Sequence, residues 1–200
     1  MKPRKFNLSV LVVAGGLLGL AACQEQVAET LPPPLAMTEE SVGHFCQMNI
    51  LEHPGPKAQI HLEGLPYPLF FSQVRDGIAY ERMPEQNYKI RVIYVTDMSK
   101  TTDWDNVGEQ NWIPAVSAHY VVGSRMAGGM GSPELVPFSS PDDARAFADQ
   151  YGGQVMTLGD VDDALVFSNT TPDAPVNVPE AANLPEDTDY RSRLESLRKK

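Results

Sequence analysis

Between Tyr88 and Thr96 the chain reads Tyr-Lys-Ile-Arg-Val-Ile-Tyr-Val-Thr, a run of β-formers with partial alternation that predicts a strand. A second strand is expected over Val116 to Val122, ended by Gly123. The period then changes. Ser140 suits a helix N-cap, Pro141 the first turn, and Asp142 and Asp143 the positive end of the dipole. Ala144, Phe147, Ala148 and Tyr151 follow at i, i+3, i+4 and i+7, one apolar face of a helix that Gly152-Gly153 stops. Gln154 to Leu158 returns as a strand. The chain also echoes itself: Phe71-Ser72, Asp76 and Ala79-Tyr80 match Phe138-Ser139, Asp143 and Ala146-Phe147, all 67 residues later. With strand-like sequence ahead of each match, this predicts two related strand-strand-helix-strand units packed together, over 40–110 and 111–168.

Outside these units the pattern is of another kind. Lys2, Arg4 and Lys5 precede an uncharged apolar run from Leu8 to Leu20, and Leu20-Ala21-Ala22-Cys23 follows. A basic start, a short apolar stretch and small residues before a cut describe a secretory signal over residues 1–22. A cysteine directly after the cut resembles the bacterial lipobox, in which Cys23 becomes the lipid-bearing first residue. The apolar run is shorter than the roughly 20 residues a spanning helix needs. Gln24 follows Cys23 where an inner-membrane lipoprotein would carry Asp, so a periplasmic location with an outer-membrane anchor is favoured. Residues 23–39, with Leu31-Pro32-Pro33-Pro34-Leu35, read as a proline-stiffened lipidated tether. Residues 169–200 hold Pro172, Pro175, Pro179 and Pro185 among acids and read as a disordered tail, with a short helix possible at Asp189 to Arg198.

Charge narrows the partners. The 200 residues carry 16 basic and 26 acidic side chains. The three basic residues of the signal leave with it, so the mature chain has net charge −13. That balance opposes nucleic-acid binding, whose phosphates need basic partners. It also opposes a grip on anionic lipid, so acyl chains would do the anchoring. A monomer is expected. With Cys23 acylated, Cys46 is the one thiol left and cannot form an intramolecular disulfide. In an oxidising compartment such a thiol is buried, catalytic or metal-bound.

The residues able to carry chemistry are few. His44-Phe45-Cys46-Gln47-Met48, with His53 close behind, forms one cluster, and Met126-Ala127-Gly128-Gly129-Met130-Gly131 the other. Thiolate and thioether are soft ligands that favour Cu(I) over hard cations. If the first cluster is extended, Cys46 and Met48 project to one side, because the side-chain period is two. Met130 sits in a glycine-rich loop that can place a side chain without crowding. Cys46, Met48 and Met130 are therefore the expected metal ligands, with His44, His53, His119 and Met126 in reserve. Structural zinc fits less well, since it wants four Cys or His ligands at tight spacing. No P-loop, dinucleotide glycine pattern or Gly-x-Ser-x-Gly elbow occurs in the folded region. The residues alone leave three classes open: a soft-metal binder, an enzyme pairing Cys46 with a nearby His as nucleophile, and a passive lipoprotein that binds another envelope protein.

Five pieces carry a family resemblance. Cys46-Gln47-Met48-Asn49-Ile50, Tyr120-Val121-Val122-Gly123-Ser124, Gly129-Met130-Gly131, Glu134-Leu135-Val136-Pro137-Phe138 and Ala144-Arg145-Ala146-Phe147 resemble, in order and behind a lipobox, the NosL family. These are accessory lipoproteins of nitrous oxide reductase. Members usually read Cys-Gly-Met, so Gln47 replaces a glycine, and Ser132-Pro133 looks like a small insertion. The resemblance implies an α+β fold of two similar small units akin to organomercurial lyase. It also implies a metallochaperone, not an enzyme, whose Cu(I) serves the copper centres of nitrous oxide reductase. The expected partners are that reductase, its membrane assembly complex, or both, in denitrification.

Overall fold

The computed structural model describes residues 30–167. The expected signal segment 1–22, the lipidated Cys23 and the acidic tail over 169–200 lie outside the described residues. The β-forming run makes a strand, as its residues dictate. The first unit contains β1 (Ala58–Leu62), β2 (Leu69–Phe71), α1 (Val74–Arg82), β3 (Ile90–Thr96) and β4 (Trp112–Pro114). The second contains β5 (His119–Ala127), β6 (Pro133–Phe138), α2 (Pro141–Tyr151) and β7 (Gln154–Thr157), and α3 (Asp163–Phe167) closes the described chain. The sheets run β2-β1-β3-β4 and β6-β5-β7, with every pairing antiparallel. Each unit is thus a hairpin, a helix, and a strand returning to the far side of the hairpin's first strand. The third strand is parallel to the second, which a tight turn cannot arrange, so a helix makes the crossover. The fold is α+β, built of two similar strand-strand-helix-strand units. The 67-residue echo falls on equivalent places: Phe71 and Phe138 end β2 and β6, and Asp76 and Asp143 lie in the first turns of α1 and α2.

The core explains the patterning. Ala58, Ile60 and Leu62 of β1 share a face with Ile93 and Val95 of β3, and α1 covers it with Val74, Ile78 and Ala79. Helix and strand approach closely because Gly77 has no side chain; a Cβ there would lie 2.7 Å from that of Ala58. Tyr120, Val122 and Leu135 of the second sheet join this core, while Val121, Val136 and Phe138 face α2. β5 is therefore buried on both sides over Tyr120 to Val122, which is why its sequence shows no alternation.

α2 has the predicted form. Ser140 accepts from the Asp143 N–H (3.2 Å), Pro141 opens the helix and Gly152, at φ 78°, closes it. Ala144 is fully buried, while Phe147 is half-buried and stacked on Trp104 at 6.1 Å.

Three expectations need correction. The strand expected from Val116 begins at His119, because Ala115–Ser117 forms a 3-10 turn that leaves Val116 exposed. The unit boundary at 110/111 falls too early, since Trp112–Pro114 pairs with Tyr94 to Thr96 in the first sheet. The tether over 23–39 is not free along its whole length. Residues 31–37 strap the back of the first sheet: Gln59 exchanges two 2.9 Å hydrogen bonds with the Leu35 backbone, and the Tyr94 hydroxyl donates to Pro32 O at 2.8 Å. Beneath them Gln59, His61 and Tyr94 are buried, and burial holds the His61 imidazole below its ordinary range. Met37 ends the strap inside the protein at 1 % exposure.

Candidate metal centre

Cys46 lies in a tight loop, not in an extended segment. Val42 and Asn49 form an antiparallel bridge, Gly43 N–H donates to Met48 O (2.9 Å) and Gln47 N–H donates to Gly43 O (2.8 Å). The reversal turns on Gln47, whose φ of 56° makes it the one described non-glycine residue in the left-handed region. Glycine would take that conformation without strain. Here the Gln47 side chain compensates by donating to His44 O at 2.6 Å. The expectation that Cys46 and Met48 share a side through strand periodicity is therefore wrong, because the period of two fails across a left-handed residue. Gly43 makes room for the sulfur, since a Cβ there would lie 2.5 Å from Cys46 Sγ. Cys46 is half-buried, and Met48 is 44 % exposed.

His53 comes to the thiol. Its Nε2 lies 3.8 Å from Cys46 Sγ, and its Nδ1 lies 3.1 Å from Gly129 O. A carbonyl only accepts, so Nδ1 carries the proton and donates. In the neutral ring Nε2 then keeps its lone pair and points it at the sulfur. A ring nitrogen fixed this way is the usual arrangement of a metal-binding histidine. The same hydrogen bond brings the second cluster to the first. Gly129 sits tightly there; a Cβ would lie 2.7 Å from His53 Cβ and 2.8 Å from Ser72 O. The next residue, Met130, is 45 % exposed.

The supporting residues did not stand out in the sequence. Ser72 Oγ donates to Cys46 Sγ at 3.7 Å. Gln73 Oε1 accepts from the Met130 N–H at 2.8 Å. Glu134, wholly buried, accepts from the N–H groups of Val74 (3.2 Å), Arg75 (3.0 Å) and Leu135 (2.8 Å). Burial pushes its carboxyl up to about 8, against the pull of those donors. Lys57 lies below the 53–55 segment, with Nζ donating to Pro54 O (3.1 Å) and to Gly55 O. Burial brings its ammonium down to about 8, opposed by the Glu134 charge. One signal was available: Gln73 stands where the echo places the helix-capping Ser140.

The other reserve candidates are elsewhere. The His44 ring packs on Phe45, Phe71 and Tyr80 at 5.4–5.6 Å and pins the loop to the sheet. His119 starts β5, and the other eight residues of that strand separate it from the Gly128–Met130 loop, about 30 Å at the rise of a strand. Met126 lines a cavity of about 660 Å³ under α2 with Met98, Trp104 and Tyr151. Among the described residues, no three His, Cys, Asp or Glu side chains gather as a hard or four-ligand site would require. Cys46 and His53 are the pair the structure brings together, with Met48 two residues from Cys46 and Met130 next to Gly129 in sequence.

The NosL family model matches residues 34–166. The copper-binding lipoprotein NosL of Achromobacter cycloclastes is 54 % identical over 192 residues, 96 % of this chain and 95 % of that protein. That of Stutzerimonas stutzeri is 32 % identical over 161 residues, 80 % of this chain and 81 % of the other. The crystal structure of the copper chaperone NosL from Shewanella denitrificans superposes with a TM-score of 0.62 at 32 % identity, covering 66 % of this chain and 99 % of that one. These relatives are named as copper-binding proteins and a copper chaperone, not as enzymes. By family match, identity and fold, this chain belongs to the NosL family.

Proposed function

We propose that this chain binds one Cu(I) ion between Cys46, His53 and a methionine thioether, and delivers it for assembly of the copper centres of nitrous oxide reductase. The observation that carries the reading is the 3.8 Å between Cys46 Sγ and His53 Nε2. With a metal–thiolate bond of about 2.3 Å and a metal–imidazole bond of about 2.0 Å, that separation corresponds to a S–metal–N angle of roughly 125°. The angle is trigonal and leaves a third position. Met48 or Met130 would fill it, since both are exposed, soft and neutral. Cys46 as thiolate supplies charge and most of the affinity. Thiolate and thioether together favour Cu(I) over zinc. Handing over the ion is ligand exchange: the half-exposed thioethers leave first, and an incoming Cys or His replaces them one at a time.

Cys23 would anchor the chain at the periplasmic face of a membrane, the outer one by the Gln24 signal, and Cys23→Ser would release it. The acidic surface would steer the loaded protein towards a basic patch on the recipient, and salt would slow that encounter. The recipient is the reductase itself or its membrane-bound assembly complex. Mixing the Cu(I)-loaded protein with copper-free reductase, with and without the complex, tests delivery. Copper appearing in the reductase at the expense of this protein is the expected result. Copper retained in both mixtures, at affinities that favour the reductase, would refute it.

A further inference from the structure

Gln73 holds the N-cap position of α1 but does not cap it. Its counterpart in the second unit, Ser140, caps α2 in the ordinary way. In the first unit that task has passed to a strand: the Glu134 carboxyl oxygens of β6 take the first N–H groups of α1 at 3.2 and 3.0 Å. Gln73, at 1 % exposure, is thereby free of the helix yet must satisfy a buried amide. Its Nε2 donates to Asp76 Oδ1 (3.2 Å), which orients the group, and its Oε1 accepts from the Met130 N–H (2.8 Å). The loop lies directly on this pair. A Cβ at Gly128 would stand 2.5 Å from Glu134 Oε2 and 2.7 Å from Gln73 Oε1. Gly128, Gly129 and Gly131 give the loop much conformational freedom, and its ends close on themselves through Gly128 and Ser132. The Gln73 hydrogen bond fixes the backbone of the one residue among them with a side chain to present.

We propose that Gln73 is the positioning residue for Met130: by releasing the α1 cap to Glu134 it holds the Met130 backbone so that the thioether is presented beside Cys46 and His53. This rests on the reading of Met130 as a copper ligand. Gln73 touches no metal; it acts only through the loop.

Cu(I) affinity by chelator competition on the full soluble chain tests this with Gln73→Leu, Met130→Ala and the double variant. A lost hydrogen bond of this kind predicts that Gln73→Leu weakens Cu(I) by about 3- to 10-fold. Met130→Ala should weaken it at least as much, and the double variant should match Met130→Ala alone. X-ray absorption of Cu(I)-loaded Gln73→Leu should show one sulfur scatterer fewer, which a general loss of stability would not produce. Gly128→Ala sets a methyl between the loop and the ends of the Gln73 and Glu134 side chains, which breaks the Gln73–Met130 contact from either side, so it should reproduce the loss and carries the test if Gln73→Leu does not fold. Wild-type affinity in folded Gln73→Leu or Gly128→Ala, beside a weakened Met130→Ala, overturns the proposal, as do additive losses in the double variant. Wild-type affinity in Met130→Ala would instead overturn the ligand reading beneath it.

Discussion

Gly129→Ala is a small change that strikes the contact between the two clusters directly. The added methyl would meet His53 Cβ at 2.7 Å, Ser72 O at 2.8 Å and Pro54 O at 3.0 Å. None of these is the end of a flexible side chain, and two are backbone carbonyls from separate segments. Restoring ordinary contact near 3.4 Å requires the loop to retreat by about 0.7 Å. Overpacking of this size costs about 1–3 kcal/mol. The same retreat stretches the 3.1 Å contact between His53 Nδ1 and Gly129 O beyond hydrogen-bond range, so the imidazole loses its orientation. Loss of such an outer partner predicts a fall in Cu(I) affinity of about 10-fold or more. Gly131→Ala is the control. Its Cβ would meet nothing within 4 Å, and its φ of +77° adds only left-handed strain, about 1–2 kcal/mol. Urea unfolding and chelator competition on both variants separate the effects. If Gly129→Ala binds Cu(I) as tightly as Gly131→Ala, the loop does not hold His53 and the reasoning fails.

Two further outcomes follow from buried groups. Met37→Ala removes the strap's innermost side chain, which should cost about 2–5 kcal/mol in urea unfolding and quicken amide exchange in β1; a loss under about 1 kcal/mol would mean the strap is passively laid on the sheet. Glu134 keeps its proton up to about 8 when folded, against the ordinary 4.5, so between those values the folded chain binds a proton the unfolded chain has lost. Its contribution to stability therefore falls as pH rises through that window. Lys57 acts oppositely above it, because from about 8 to its ordinary 10.5 the unfolded chain holds the extra proton and stability rises with pH. Stability profiles of the wild type and Glu134→Gln should diverge between pH 5 and 8; parallel profiles would contradict the buried carboxyl.

What the sequence made legible was local. Ser140, Pro141 and Gly152 mark α2 because caps and stops act within a few residues. The echo at 67 residues found the strand-strand-helix-strand plan because both units repeat the same local order. β1 carried only a short mark: Ala-Gln-Ile-His-Leu alternates over five residues, yet its polar positions, Gln59 and His61, lie buried under the strap and not in solvent. The loop around Cys46 turns on a single dihedral, since one left-handed residue at Gln47 cancels the side-chain alternation that an extended segment would have. The sulfur-bearing clusters were visible as soft chemistry in a chain otherwise poor in it. Their supports were not. Gln73 reaches Met130 across 57 residues of chain, and only the folded molecule brings Glu134, 60 residues after Val74, to the start of α1. His53 had only its nearness to Cys46 to recommend it, and His44, nearer still, spends its ring on Phe45, Phe71 and Tyr80 instead.

The central claim is that Cys46 anchors a soft metal ion beside His53. Titrating the reduced soluble chain with Cu(I) against a Cu(I)-specific chelator, in wild type and Cys46→Ala, tests it most directly. The expected result is one tightly held Cu(I) per wild-type chain, bound far more tightly than Zn(II). Cys46→Ala should weaken it more than Met48→Ala, Met130→Ala or His53→Ala, because it removes the one anionic ligand. A Cys46→Ala variant that binds Cu(I) like the wild type would contradict the account.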